Sequence, residues 1–96
     1  MIKRTLLVKA PLGLHARAAA KVVRVAREFQ SRLQLSRADG GDTVDAKSIL
    51  SVLMLAATRG TQLQATAEGT DEEAAMDALD QLFADGFGEL EVESIG

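Results

Sequence analysis

Residues 31–46 read SRLQLSRADGGDTVDA, and this stretch decides the fold. Leu33 and Leu35 fall on one side of an extended chain and Arg32, Gln34 and Ser36 on the other, the alternation of a half-buried strand over 31–37. The cluster Asp39-Gly40-Gly41-Asp42 supplies the positive-φ positions that a tight reversal demands. Residues 43–46 are therefore expected to return antiparallel to the first strand. Such a hairpin has one apolar face and needs a second layer to cover it.

The flanking sequence supplies that layer. Upstream, Leu6 and Val8 alternate with Thr5, Leu7 and Lys9 as a strand closed by Pro11-Leu12-Gly13. Ala16, Ala20, Val23, Ala26 and Phe29 then recur at three or four, which predicts a helix from residue 16 to about 30. Downstream, residues 48–57 read as a short helix with Ser48 as N-cap and Gly60 as its stop. Residues 61–67 alternate Leu63, Ala65 and Ala67 with Gln62, Gln64 and Thr66 as a further strand. Thr70-Asp71-Glu72-Glu73 has the spacing of a capping box, and Ala75, Met76, Leu79, Leu82 and Phe83 give the third helix its apolar face up to Asp85-Gly86. The order is βαββαβα. Its lack of strict alternation predicts an α+β fold, an antiparallel sheet covered on one face by helices. Residues 1–88 form the expected domain, and 89–96 an acidic C-terminal tail with no assigned element.

Composition narrows the function classes. At 96 residues, 47% of them hydrophobic, the chain holds one core and is expected to fold alone. Having no cysteine and one histidine, it can build neither a disulfide framework nor a thiolate or paired-histidine metal site; no cofactor is expected. The first nine residues return to charge too soon for a secretory leader, and no apolar run approaches the ~20 residues of a membrane helix, so a cytoplasmic protein without membrane insertion is expected. The net charge of -3 is unevenly spread: nine Lys/Arg against one acid up to Arg37, then two against thirteen. Folding that keeps the basic third together gives a surface suited to acidic partners.

His15 lies between the Pro11-Leu12-Gly13-Leu14 turn and the first helix. The first N–H groups of a helix lack internal acceptors and attract anions, so a phosphate on His15 would meet the N–H groups of Ala16 and Arg17 and the Arg17 guanidinium. Neutral imidazole is a nucleophile near pH 7, which suits a reversible phosphoryl link. A His-x-Arg pair at a helix start also occurs without function. Its neighbourhood adds weight: Arg17, Lys21, Arg24 and Arg27 form one basic stripe, and Ile49, Leu50, Val52, Leu53, Met54 and Leu55 leave the second helix almost no polar face, so that some should stay exposed, with Ile49, Leu50 and Leu53 the expected docking residues. A basic helix also suits nucleic acid, but without tyrosine or tryptophan and with a negative total, protein docking is the better reading. An autonomous hydrolase is disfavoured because no carboxylate or cysteine adjoins His15 in sequence.

Together these segments resemble the HPr family of histidine phosphocarriers of the bacterial phosphotransferase system. The resemblance rests on Leu12-Gly13-Leu14-His15-Ala16-Arg17, Ala46-Lys47-Ser48-Ile49-Leu50, Arg59-Gly60-Thr61 and Ala67-Glu68-Gly69, and runs to Gly86-Phe87-Gly88-Glu89. It implies an open-faced sandwich of four antiparallel strands under three helices. It further implies that His15 takes phosphate at Nδ1 from phosphorylated enzyme I and passes it to IIA proteins of sugar transport, with Arg17 balancing charge and the first two helices docking. The protein would then be a carrier and a monomer, not an enzyme. Ser48 resembles a serine modified by an HPr kinase/phosphorylase in some members, which would bring in that kinase and a transcriptional regulator; as an N-cap it needs no such role. Two readings stay open beside the sugar relay, a nitrogen-branch carrier and a purely regulatory module. The family usually has proline after the arginine, where this chain has Ala18, which restores one N–H in the first helical turn.

Overall fold

The computed structural model describes residues 1–89. Its elements are β1 (Ile2–Leu7), α1 (Ala16–Ala26), β2 (Arg32–Arg37), β3 (Val44–Asp45), α2 (Ile49–Leu53), β4 (Gln62–Glu68), α3 (Glu72–Ala84) and a 3-10 turn over Gly86–Gly88. The strands make one antiparallel sheet in the order β1-β4-β2-β3. Register aligns Leu6 with Leu63, Leu35 with Ala65 and Leu33 with Ala67, so one face carries the buried residues of three strands. The helices cover that face, and Val22, Val52, Met76, Leu79 and Phe83 complete the core. The opposite face is polar, and Leu7, the residue that interrupts the alternation of the first strand, is 41% exposed on it. This is the expected α+β open-faced sandwich.

Several boundaries differ from the expected ones for identifiable reasons. Helix α1 stops at Ala26, not near residue 30: Glu28 and Phe29 donate to carbonyls three residues back, and the next two N–H groups, of Gln30 and Ser31, donate to the Asp71 carboxylate at 2.9 Å each. Its buried face is Ala18, Ala19, Val22, Val23 and Ala26, while Ala16 is exposed and Ala20 half-buried. Alanines at four of the first five helical positions permit two phasings of the apolar stripe, and the structure takes the one that buries Ala18, Ala19 and Val22. Strand β3 has two residues instead of four, although the Ala46 N–H still reaches the Leu33 carbonyl at 2.9 Å. Gly40 and Gly41 adopt positive φ as the reversal requires.

Helix α2 ends at Leu53, well before residue 57. Leu55 and Ala57 turn into the core, and it is Ala56, at φ 51°, that takes the left-handed position after the helix. Gly60 serves the following turn instead, its N–H bonded to the Val8 carbonyl at 2.8 Å. The capping box expected at Thr70 is also replaced. Asp71 is the N-cap residue of α3, but its side chain makes no cap bond; Glu72 reaches back to the Gly69 N–H at 3.1 Å. Asp71 instead accepts from Gln30 N–H, Ser31 N–H and the Ser31 hydroxyl, which satisfies the buried Ser31. These three bonds, that of the hydroxyl foremost, hold the Asp71 carboxyl below the usual carboxylate range.

Candidate functional site

The loop before α1 is set by glycine chemistry. Gly13 has φ +68°, and a Cβ there would lie 2.7 Å from the Ala57 carbonyl oxygen and 2.9 Å from Thr58 Cα, so only glycine lets the two segments pass. The Leu14 N–H then donates to that same carbonyl at 2.8 Å, and Leu14 is buried. With both preceding residues anchored, the chain delivers His15 as the N-cap of α1, its backbone extended at φ −78°, ψ −178°.

Both ring nitrogens of His15 are engaged. The Arg17 N–H approaches Nδ1 at 3.3 Å, and a carboxylate oxygen of Glu89 lies 2.7 Å from Nε2. Ring and carboxylate are mostly covered, with side-chain exposures of 28% and 18%. Glu89 is the residue that sequence reasoning missed. It lies 74 positions away, in the segment assigned to the acidic tail, and it supplies in space the carboxylate that His15 lacks beside it in sequence. The signal available was Gly86-Phe87-Gly88, whose glycines and aromatic residue end a helix with a sharp turn. The rest of the expected tail, 90–96, lies outside the described residues.

The other sequence-predicted residues divide into groups. Ala16 and Arg17 are exposed in the first turn of α1 beside the ring, and Ala18 is buried. Lys21, expected as a docking cation, is half-buried, and its Nζ donates to the Phe87 carbonyl at 2.5 Å. Arg24 and Arg27 remain on the surface and line a shallow cleft with Ala20, Val23 and Ile49. The Arg27 Nε donates to the Lys47 carbonyl at 3.1 Å, tying α1 to the start of α2. Leu50 is 71% exposed; Leu53 is half-buried against the core. Met54 and Leu12, absent from the expected docking set, are more exposed than either. The Ser48 hydroxyl accepts from the Ser51 N–H at 3.4 Å, the geometry of an N-cap. Among the described residues no cluster of three metal-ligating side chains forms, and no helix is long and apolar enough to cross a membrane.

Residues 2–85 match the family model described as the PTS HPr component phosphorylation site. The chain belongs to the HPr family. It is similar to the phosphocarrier protein HPr of Cupriavidus necator, 47% identical over 91 residues that cover 95% of this chain and all of the relative. The HPr of Xylella fastidiosa is 46% identical over 89 residues, covering 93% and 98% of the two chains. Among solved structures, an HPr from Thermoanaerobacter tengcongensis superposes with a TM-score of 0.86 at 38% identity over 93% of this chain and 98% of its own. An HPr from Bacillus anthracis gives 0.79 at 34% identity, over 85% and 95%. Membership of this family supports a phosphocarrier of the phosphotransferase system.

Proposed function

We propose that His15 accepts a phosphoryl group at Nδ1 from phosphorylated enzyme I and passes it to IIA proteins of sugar transport, in the cytoplasm and as a monomer. The observation that carries this reading is the orientation of the ring: Nδ1 faces the Arg17 N–H at the start of α1. That N–H meets the nitrogen lone pair before transfer and a phosphate oxygen after it, so the donor stays satisfied throughout. The positive end of the helix dipole and the flexible Arg17 guanidinium favour the added negative charge.

Docking follows from the charges and the apolar surface. Arg24 and Arg27 edge a cleft that includes Ile49, and exposed Leu50 extends it, a pairing of basic rim and apolar centre that fits an acidic partner with an apolar anchor. Lys21 and Leu53 act from beneath: Lys21 steadies the C-terminal turn, and Leu53 holds α2 to the core.

Incubation with enzyme I and phosphoenolpyruvate should add one acid-labile phosphoryl group per chain, and a IIA protein should then remove it. His15→Ala should take up none. Label that persists in His15→Ala contradicts the reading, as does a phosphorylated form that no IIA protein discharges.

A further inference from the structure

The chain after α3 is built at some conformational cost. Gly86, Phe87 and Gly88 adopt φ of 60°, 58° and 77°, three consecutive left-handed residues, and an aromatic residue is disfavoured there. What holds Phe87 is visible. Its ring is buried edge-on against Phe83, 5.0 Å between centroids, and its carbonyl accepts the Lys21 ammonium at 2.5 Å. The Gly88 N–H bonds the Asp85 carbonyl and the Glu89 N–H the Gly86 carbonyl, both at 3.0 Å. The outcome of this hook is that Glu89, its last residue, meets His15.

The two contacts of the ring select the same proton arrangement. An ionised carboxylate only accepts, so Nε2 must carry the hydrogen; a backbone N–H only donates, so Nδ1 must carry the lone pair. We propose that Glu89 is a positioning residue for the phosphoryl relay, holding His15 in the Nε2–H tautomer with Nδ1 as nucleophile and balancing the charge the ring gains on phosphorylation. The inference rests on the carrier reading above. In uptake, the Nδ1 lone pair forms the new N–P bond while the N–P bond of the donor phosphohistidine breaks, its electron pair returning to the donor ring. His15 keeps its Nε2–H and becomes a phosphorylated imidazolium, so no proton has to leave. The positive charge develops beside the Glu89 carboxylate, in a partly covered site where attraction is less screened than in bulk water. Transfer onward reverses these changes.

The test uses the full chain and Glu89→Gln, whose amide either accepts or donates and so holds neither tautomer. In the unphosphorylated wild type, nitrogen-15 spectra should give His15 almost wholly as the Nε2–H tautomer, with a downfield hydrogen-bonded ring proton. In Glu89→Gln the Nδ1–H form should rise and that proton signal should disappear. With enzyme I, kcat for phosphorylation of the variant should fall on the order of tenfold at unchanged KM, less than when a fully buried carboxylate behind a catalytic histidine is replaced. Glu89→Asp, which keeps the charge, should recover part of the loss. An unchanged tautomer population, or a rate equal to or above that of wild type, overturns the role of Glu89. The spectra need no phosphate, so such a result alongside normal labelling of His15 removes Glu89 alone. Absence of label on wild-type His15 removes the carrier reading with it.

Discussion

Helices α1 and α3 run in opposite directions and are joined crosswise by a carboxylate at each end. At one end Asp71, opening α3, accepts three hydrogen bonds from Gln30 and Ser31 just past α1. At the other, Glu89, just past α3, makes one contact with His15 at the start of α1. Each junction is backed by a glycine where a Cβ cannot fit: Gly69 would place one 2.7 Å from Ser31 Cα, and Gly13 one 2.7 Å from the Ala57 oxygen. The difference is saturation. Asp71 is filled by partners that do not change during the life of the fold, whereas Glu89 is committed to a ring whose other nitrogen stands at the surface of a helix start. One junction closes the structure and the other leaves chemistry open.

The largest expected effect separates the junctions by their packing. Phe87→Ala removes a buried ring from against Phe83 and releases the hook, and should cost about 3–5 kcal/mol in urea unfolding. A loss below about 1 kcal/mol would mean that the hook is not part of the core. Next come the two glycines. Gly69→Ala and Gly13→Ala should each lose roughly 1–3 kcal/mol through strain and displaced backbone. Only Gly13→Ala should also slow phosphorylation, because Leu14 and His15 follow directly. Equal slowing by both would abolish the functional distinction between the ends.

The smallest effect is one of pH. Hydrogen bonds from Ser31 and Gln30 hold the folded Asp71 carboxyl below its unfolded value of about 3.9, so its contribution is fully present above that value and is lost as pH falls through the lower folded one. Asp71→Asn keeps one acceptor oxygen. Its melting temperature should lie below that of wild type at neutral pH, with the gap narrowing as acid protonates Asp71. A gap that stays constant into acid would show that the charge of Asp71 does not contribute.

What sequence revealed and what it hid follow the same division between local and distant contacts. The alternation of Leu33, Leu35, Leu63, Ala65 and Ala67 is a local pattern, and the sheet was legible from it. The position of His15 before α1 was legible for the same reason, since a turn and a helix start are neighbours in the chain. The stripe of α1 was misphased because alanine is apolar enough to stand on either side. The early ends of α1 and α2 go with contacts many residues away, the Asp71 carboxylate on Gln30 and Ser31 and the burial of Leu55 and Ala57 in the core. Glu89 is the extreme case, an acid among acids in sequence that is distinguished only by the hook that carries it back to the histidine.

The central claim is that the ring of His15 is held by Nε2 and reacts at Nδ1. The measurement that tests it most directly is nuclear magnetic resonance of the enzyme I-phosphorylated, nitrogen-15-labelled protein, in which phosphorus coupling identifies the bonded ring nitrogen. The account predicts phosphorus on Nδ1 of His15 with hydrogen retained on Nε2; phosphorus on Nε2, the nitrogen facing Glu89, would contradict it.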